Sequence, residues 1–397
     1  MFGHRTRLSL LIAAALLTAA PALPSYASEE QAARITDIAE QAMAKHGLRA
    51  IIVRVLVDGK VVVTLARGES MTGVPATPDM HFRNGAVAFA YLATIALQLA
   101  EEKRLGLDDT LARYLPDLPH ADKITLRMLL NMTSGYADYV PDETFNIDFY
   151  ANPFRHWTPE ELINIGVSKP LRFEPGTNWG YAHTGYVIMG RVIEKVTGKA
   201  LGEVMAERIF EPLGLRDTVA TVTAEIQQPV LHAFSSERRG PLGIAPGVRF
   251  YEESTFWDPS WTTAHGDVQT SNIYDLITTA VAVGTGALLS PESYEAMVGP
   301  ALVGFGKPTP ECPTCRSLDE TFHYGLGVFL YGPWIAQSPL FGGYAATERY
   351  LPSKKIAIAV AVTFSEAGFT EDGDYRGNAS TDVFREIAKY LAPDETP

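Results

Sequence analysis

Apolar residues recur at helical spacing over residues 29–46. Ala33, Ile35, Ile38, Ala39, Ala42 and Met43 fall near one face, and Gly47 stands where a helix can end. Residues 51–56 and 61–65 are β-rich runs joined by Asp58-Gly59, a strong hairpin signal. The spacing then predicts helices over 89–103, 124–130, 186–197, 201–209 and 273–283, the third of them closed by Gly198. Residues 356–363 form a continuous β run, and a helix over 381–391 closes the chain. Strands at both ends with helices between them predict an α+β fold. Its antiparallel β-sheet is built from both chain ends, flanked by helices, with a largely helical insert over roughly 105–270. No internal repeat, low-complexity tract or linker interrupts residues 28–397, so a single domain is expected.

The chain starts differently. Arg5 and Arg7 precede an apolar run over residues 8–20 that is short for a bilayer span, and Ser25 and Ala27 place small residues before Ser28. Residues 1–27 therefore read as a signal peptide, and the protein is expected to be exported, periplasmic or secreted, with no membrane span once the leader is removed. Losing the two leader arginines from 33 basic residues leaves 31 against 46 acidic ones, a net charge of −15. Such a surface repels phosphate backbones, which argues against nucleic acid as a partner.

The two cysteines, Cys312 and Cys315, lie in Glu-Cys-Pro-Thr-Cys between loop-like flanks. In an oxidising compartment a disulfide is the leading reading; a thioredoxin-like motif would need a strand before it and a helix after it. The nine His are scattered without paired spacing, so no metal is expected, and nothing points to a cofactor.

Seven segments in order carry a resemblance. They are Asp79-Met-His-Phe-Arg-Asn-Gly, Leu97-Gln-Leu-Ala-Glu-Glu-Lys-Arg-Leu-Gly-Leu-Asp-Asp, Tyr114-Leu-Pro, Ile124-Thr-Leu-Arg-Met-Leu-Leu-Asn-Met-Thr-Ser-Gly, Pro175-Gly-Thr-Asn-Trp-Gly-Tyr-Ala-His-Thr-Gly-Tyr, Phe210-Glu-Pro-Leu-Gly-Leu and Leu288-Leu-Ser-Pro-Glu. Together they resemble the serine β-lactamase-like, penicillin-binding-protein-like family, which includes class C β-lactamases, D-Ala-D-Ala carboxypeptidases, D-aminopeptidases and esterases. The resemblance implies a β-lactamase/transpeptidase-like fold. Function must still be argued from the site.

The family's chemistry rests on three motifs, and this chain departs from each. The first is Ser-x-x-Lys at the start of a buried helix, where the spacing puts both side chains one turn apart and Lys can take the hydroxyl proton. Here Ala86 stands at the Ser position and Phe89 at the Lys position, and no Ser or Lys occurs between Met71 and Lys103. The nearest hydroxyls, Tyr91 and Thr94, have no basic partner one turn away. The second motif, Tyr-x-Asn, reads Tyr181-Ala-His183. The third, Lys-Thr-Gly or His-x-Gly on a cleft-edge strand, aligns with Gln337-Ser338-Pro339, counting back from Gly343-Tyr344. Neither the cation nor the Gly is present there.

Removing the nucleophile of a serine hydrolase costs about a million-fold in rate. No catalytic residue is therefore expected, and the chain reads as a degenerate member, a pseudoenzyme with a possible ligand-binding or regulatory role. Tyr181, His183, Gln337 and Tyr344 are the candidate cleft residues for an unidentified small ligand or peptide. Trp179, Tyr186, Trp257 and Trp261 are further aromatics that could line a groove or pack in the core. The alternative is a weakly active hydrolase, esterase or peptidase with a displaced nucleophile, for which Ser134 in Thr133-Ser-Gly135 is the obvious hydroxyl, although it also reads as a turn residue. His265-Gly266-Asp267 reads as structural.

Overall fold

A computed structural model describes residues 26–245, 247–262 and 268–397. Nearly all of the expected leader, and His265-Gly266-Asp267, lie outside the described residues. Helix α1 (Tyr26–His46) leads into β1 (Leu48–Val57) and β2 (Lys60–Met71). Asp58 (φ 47°) and Gly59 (φ 72°) turn between them, both left-handed as a two-residue hairpin loop requires. Near the other end come β3 (Phe322–Tyr324), β4 (Phe329–Tyr331), β5 (Trp334–Gln337), β6 (Tyr344–Leu351) and β7 (Ile356–Phe364). They form one antiparallel nine-stranded sheet in the order β2-β1-β7-β6-β5-β4-β3, with Val74–Pro75 extending the β2 edge and Leu340–Phe341 pairing with β6. Both chain ends thus supply the sheet, and β1 and β7 meet in its interior, Ile51 opposite Val362.

Between β2 and β3 lie α2 (Ala88–Glu101), α3 (Leu126–Leu130), α4 (Glu143–Ala151), α5 (Pro159–Val167), α6 (Thr184–Thr197), α7 (Leu201–Met205), α8 (Ile273–Thr285) and α9 (Pro291–Val298). The helix expected over 201–209 is split: α7 passes into a π-helical turn, Ala206–Phe210. Helices α4, α5 and α9, which hydrophobic spacing alone does not reveal, are set by their caps. Asp142 accepts from the Phe145 N–H, Thr158 and Glu161 form a capping box before Pro159, and Ser290 accepts from the Ser293 N–H.

The sheet divides two cores. Along β7, Ile356, Ile358, Val360 and Val362 face α1 and the closing helix α10 (Ala379–Leu391). The alternate residues Ala357, Ala359 and Ala361 face α8 on the other side. The period of two explains why the run reads as continuously apolar: both faces are covered. The small alanine face lets α8 approach closely. Helix α2 runs through the larger core with every residue from Ala88 to Leu97 buried.

Candidate functional site

Where α2 begins, Gly85–Val87 forms a 3₁₀ turn, with Gly85 at φ +48°. A Cβ at Gly85 would lie 2.5 Å from Phe341 and 2.8 Å from Pro339, so only glycine lets the Leu340–Phe341 segment close over this turn. Ala86 projects from the turn into a cavity of about 270 Å³. Val140, Tyr181, His183, Trp261, Ser338 and Phe341 are among the other residues that line it.

One turn further along, Phe89 is fully buried and does not line the cavity. Its ring stacks on Tyr186 at 3.9 Å with 16° between planes and meets the His183 ring edge-on at 5.7 Å. The volume that a lysine would occupy is filled by an aromatic cluster. No ammonium could be held here without displacing that packing and burying the charge unpaired.

Tyr181 and His183 sit on the loop that enters α6. Tyr181 stacks on Phe329 of β4 at 5.8 Å, and among the described residues its hydroxyl has no hydrogen-bond partner. Burial pushes that hydroxyl well above the usual tyrosine range, so it is a donor, not an anion. His183 holds a fixed position: its Nδ1 lies 3.1 Å from Asp138 Oδ2, and its backbone N–H donates to Asp138 Oδ1 at 3.2 Å. Burial works to raise the Asp138 carboxyl, but the His183 imidazole and the N–H groups of Val140 and His183 outweigh it, and the carboxyl stays below its ordinary range. Arg172 fixes the same loop from behind by donating to the carbonyls of Gly180 (2.9 Å) and Tyr181 (3.1 Å).

Asp138 was not among the candidates read from the sequence. Its only local signal is its place three residues after Thr133-Ser-Gly135, and its partner lies 45 residues downstream.

Two of the candidates lie elsewhere. Gln337, the last residue of β5, is buried, and its amide donates to the Gly327 carbonyl; the strand's alternation turns Gln337 inward, and Ser338, one residue on, lines the cavity instead. Tyr344 is buried with its hydroxyl donating to the Leu231 carbonyl at 2.7 Å, outside the cavity. Of the groove aromatics only Trp261 lines the cavity, while Trp179, Tyr186 and Trp257 are core residues. Ser134 is buried as well, accepting from the Tyr136 N–H in its own turn and away from the cavity.

Cys312 and Cys315 are joined by a 2.06 Å S–S bond, and both are buried. Cys315 Sγ packs against Gly180, where an added Cβ would stand 3.0 Å from the sulfur, so the small disulfide loop braces the segment that carries Tyr181. Among the described residues no group of three or more His, Cys, Asp or Glu is placed to hold a metal ion. None of the described helices is long and apolar enough to cross a membrane.

The chain is 27% identical over 367 residues to penicillin-binding protein 4 of Amycolatopsis lactamdurans, covering 88% of this chain and 87% of that one. Over 182 residues it is 35% identical to lovastatin esterase of Penicillium rubens, covering 40% of this chain and 45% of the esterase. A D-stereospecific amidohydrolase from Streptomyces sp. superposes with a TM-score of 0.72 at 25% identity, over 93% of this chain and 99% of that one. The D-amino acid amidase of Ochrobactrum anthropi SV3 shares the fold, with a TM-score of 0.74 at 20% identity over 91% and 99%. The beta-lactamase family model matches residues 35–381, nearly all of the described chain, and the protein therefore belongs to the beta-lactamase family, whose members similar to it include penicillin-binding proteins and esterases.

Proposed function

We propose that this protein is an exported member of the family that has given up acyl transfer and keeps the cleft as a binding site for a small ligand or peptide. The observation that carries the proposal is the start of α2. Ala86 offers no nucleophile, and Phe89 is packed between Tyr186 and His183 where a cation would have to act. Nucleophile and base work as a unit, and losing both leaves only binding and whatever donors remain.

The test is to incubate the purified protein with labelled penicillin and with a fluorophosphonate, then measure its intact mass. An unchanged mass and no saturable turnover of nitrocefin or p-nitrophenyl esters are expected; a stoichiometric adduct overturns the proposal. Export is tested in the same preparation, where a mature chain beginning at Ser28 is expected and a chain retaining Arg5 and Arg7 contradicts it.

One observation favours the displaced-nucleophile alternative. Ser338 lines the same cavity as His183, and His183 is oriented by a buried carboxylate, so hydroxyl, base and orienting acid are all represented. A fluorophosphonate adduct mapping to Ser338 would establish that reading.

A further inference from the structure

We propose that the cleft selects neutral ligands carrying an aromatic group and an amide, and rejects ligands bearing a free carboxylate. This rests on reading the cleft as a binding site. No Lys or Arg is among the described residues that line the cavity. Arg172, behind the Tyr181 loop, is committed to the carbonyls of Gly180 and Tyr181. Arg83 donates to the carbonyls of Ala224 and Thr255. Its remaining Nη1 has no partner among the described residues, but it lies beyond Trp261 and Phe341 beside a void of only about 10 Å³, room for one water at most. A carboxylate entering the cavity would leave its hydration shell and meet no Lys or Arg among the described lining residues, with the ionised Asp138 behind His183 as a like charge.

Neutral groups fare differently. Trp261 and Phe341 meet edge-to-face at 6.0 Å and offer an aromatic wall. The Tyr181 hydroxyl is an unused donor suited to a ligand carbonyl. With Nδ1 engaged by Asp138, Nε2 is the His183 ring atom left to hydrogen-bond a ligand. Two hydrogen-bonding groups side by side on one loop, their rings 5.2 Å apart, with an aromatic wall beside them, suit an arylalkyl amide, which offers both a carbonyl and an N–H. The cavity is at the small end of ligand pockets, which suits a compact molecule.

The test compares 3-phenylpropanamide with 3-phenylpropanoate by calorimetry at pH 7.5. The amide is expected to bind at least about tenfold tighter than the acid, and Trp261→Ala to weaken the amide by a similar factor. Ser338→Lys, which places a cation in the cavity, is expected to move the preference toward the acid by about tenfold or more. Thermal unfolding confirms that each variant is folded, and the wild-type amide-to-acid ratio needs no variant at all. Equal or tighter binding of the acid overturns the proposal, as does no detectable binding of the amide at millimolar concentration. Methyl 3-phenylpropanoate separates the two readings: saturable hydrolysis would sink the non-catalytic reading while supporting a cleft that takes neutral ligands.

Discussion

Glu348 makes stability depend on pH in a way that can be isolated. It lies on β6 at 2% exposure, opposite Gln337 of β5, and its Oε2 has no hydrogen-bond partner among the described residues. Burial raises its carboxyl from 4.5 to about 8, against a lowering pull from Arg349. Arg349 cannot pair with it directly, because the strand's alternation sends the guanidinium to the opposite face, 4.5 Å from the rings of Tyr331 and Phe384. The folded value lies above the unfolded one, so the folded protein binds the extra proton. Its stabilising contribution is fully present below about pH 4.5 and is lost as pH rises through about 8. At about 1.36 kcal/mol per pH unit the loss is on the order of 3–5 kcal/mol, a large part of a typical folding free energy. Glu348→Gln keeps the shape of the protonated acid and cannot ionise. Urea unfolding of wild type and variant at pH 5 and pH 9 gives the test: near-equal stability at pH 5, and the variant more stable by several kcal/mol at pH 9. The difference between the two proteins cancels other titrating groups, among them His46 and His323, whose values burial lowers. A difference that stays the same at both pH values would refute the reasoning.

Phe89→Ala should cost about 3–5 kcal/mol in urea unfolding, since the ring is fully buried and stacked on Tyr186; a loss under about 1 kcal/mol would show that the cluster is not packed as described. Ala86→Ser with Phe89→Lys should be less stable still and form no penicilloyl adduct, as read by intact mass. Asp138→Asn should destabilise by about 1–3 kcal/mol near neutral pH. Because the folded carboxyl lies below its ordinary value, that difference is present above about pH 4 and should shrink as acid titrates the folded group; a penalty that grows on acidification would contradict the sign. Cys312 and Cys315 should give no thiol titre in denaturant without reductant, and replacing both with Ser should cost about 2 kcal/mol; two free thiols in the untreated protein would rule out the bond.

What the sequence made legible followed local rules. The β7 run declared itself because both of its faces are apolar, the β1–β2 turn because Asp58-Gly59 tolerates left-handed backbone, and α2 because almost nothing polar interrupts it. Strands β3 to β5 stayed hidden because three or four residues each carry too few positions to show a period. Helix α5 was legible in principle from Thr158-Pro159-Glu-Glu161, a signal in the cap and not in the stripe. At the site, Ala86 and Phe89 could be read from motif spacing. The facing of Gln337 could not, because a shift of one residue along a strand exchanges core for cleft. Asp138 escaped because its meaning lies in a partner that only the fold brings within 3.1 Å.

The seam between β1 and β7 also sets an order of events in time. Ile51 finds Val362 across the sheet only after nearly all of the intervening chain exists, so the closure entropy of that loop is met before the contact returns anything. A chain emerging N-terminus first presents the β1–β2 hairpin with the β1 edge unpaired, a template for other strands until residues 356–364 arrive. Folding should therefore be slow and of high contact order, and a chain ending before Ile356 should be insoluble, its first strand waiting for its last.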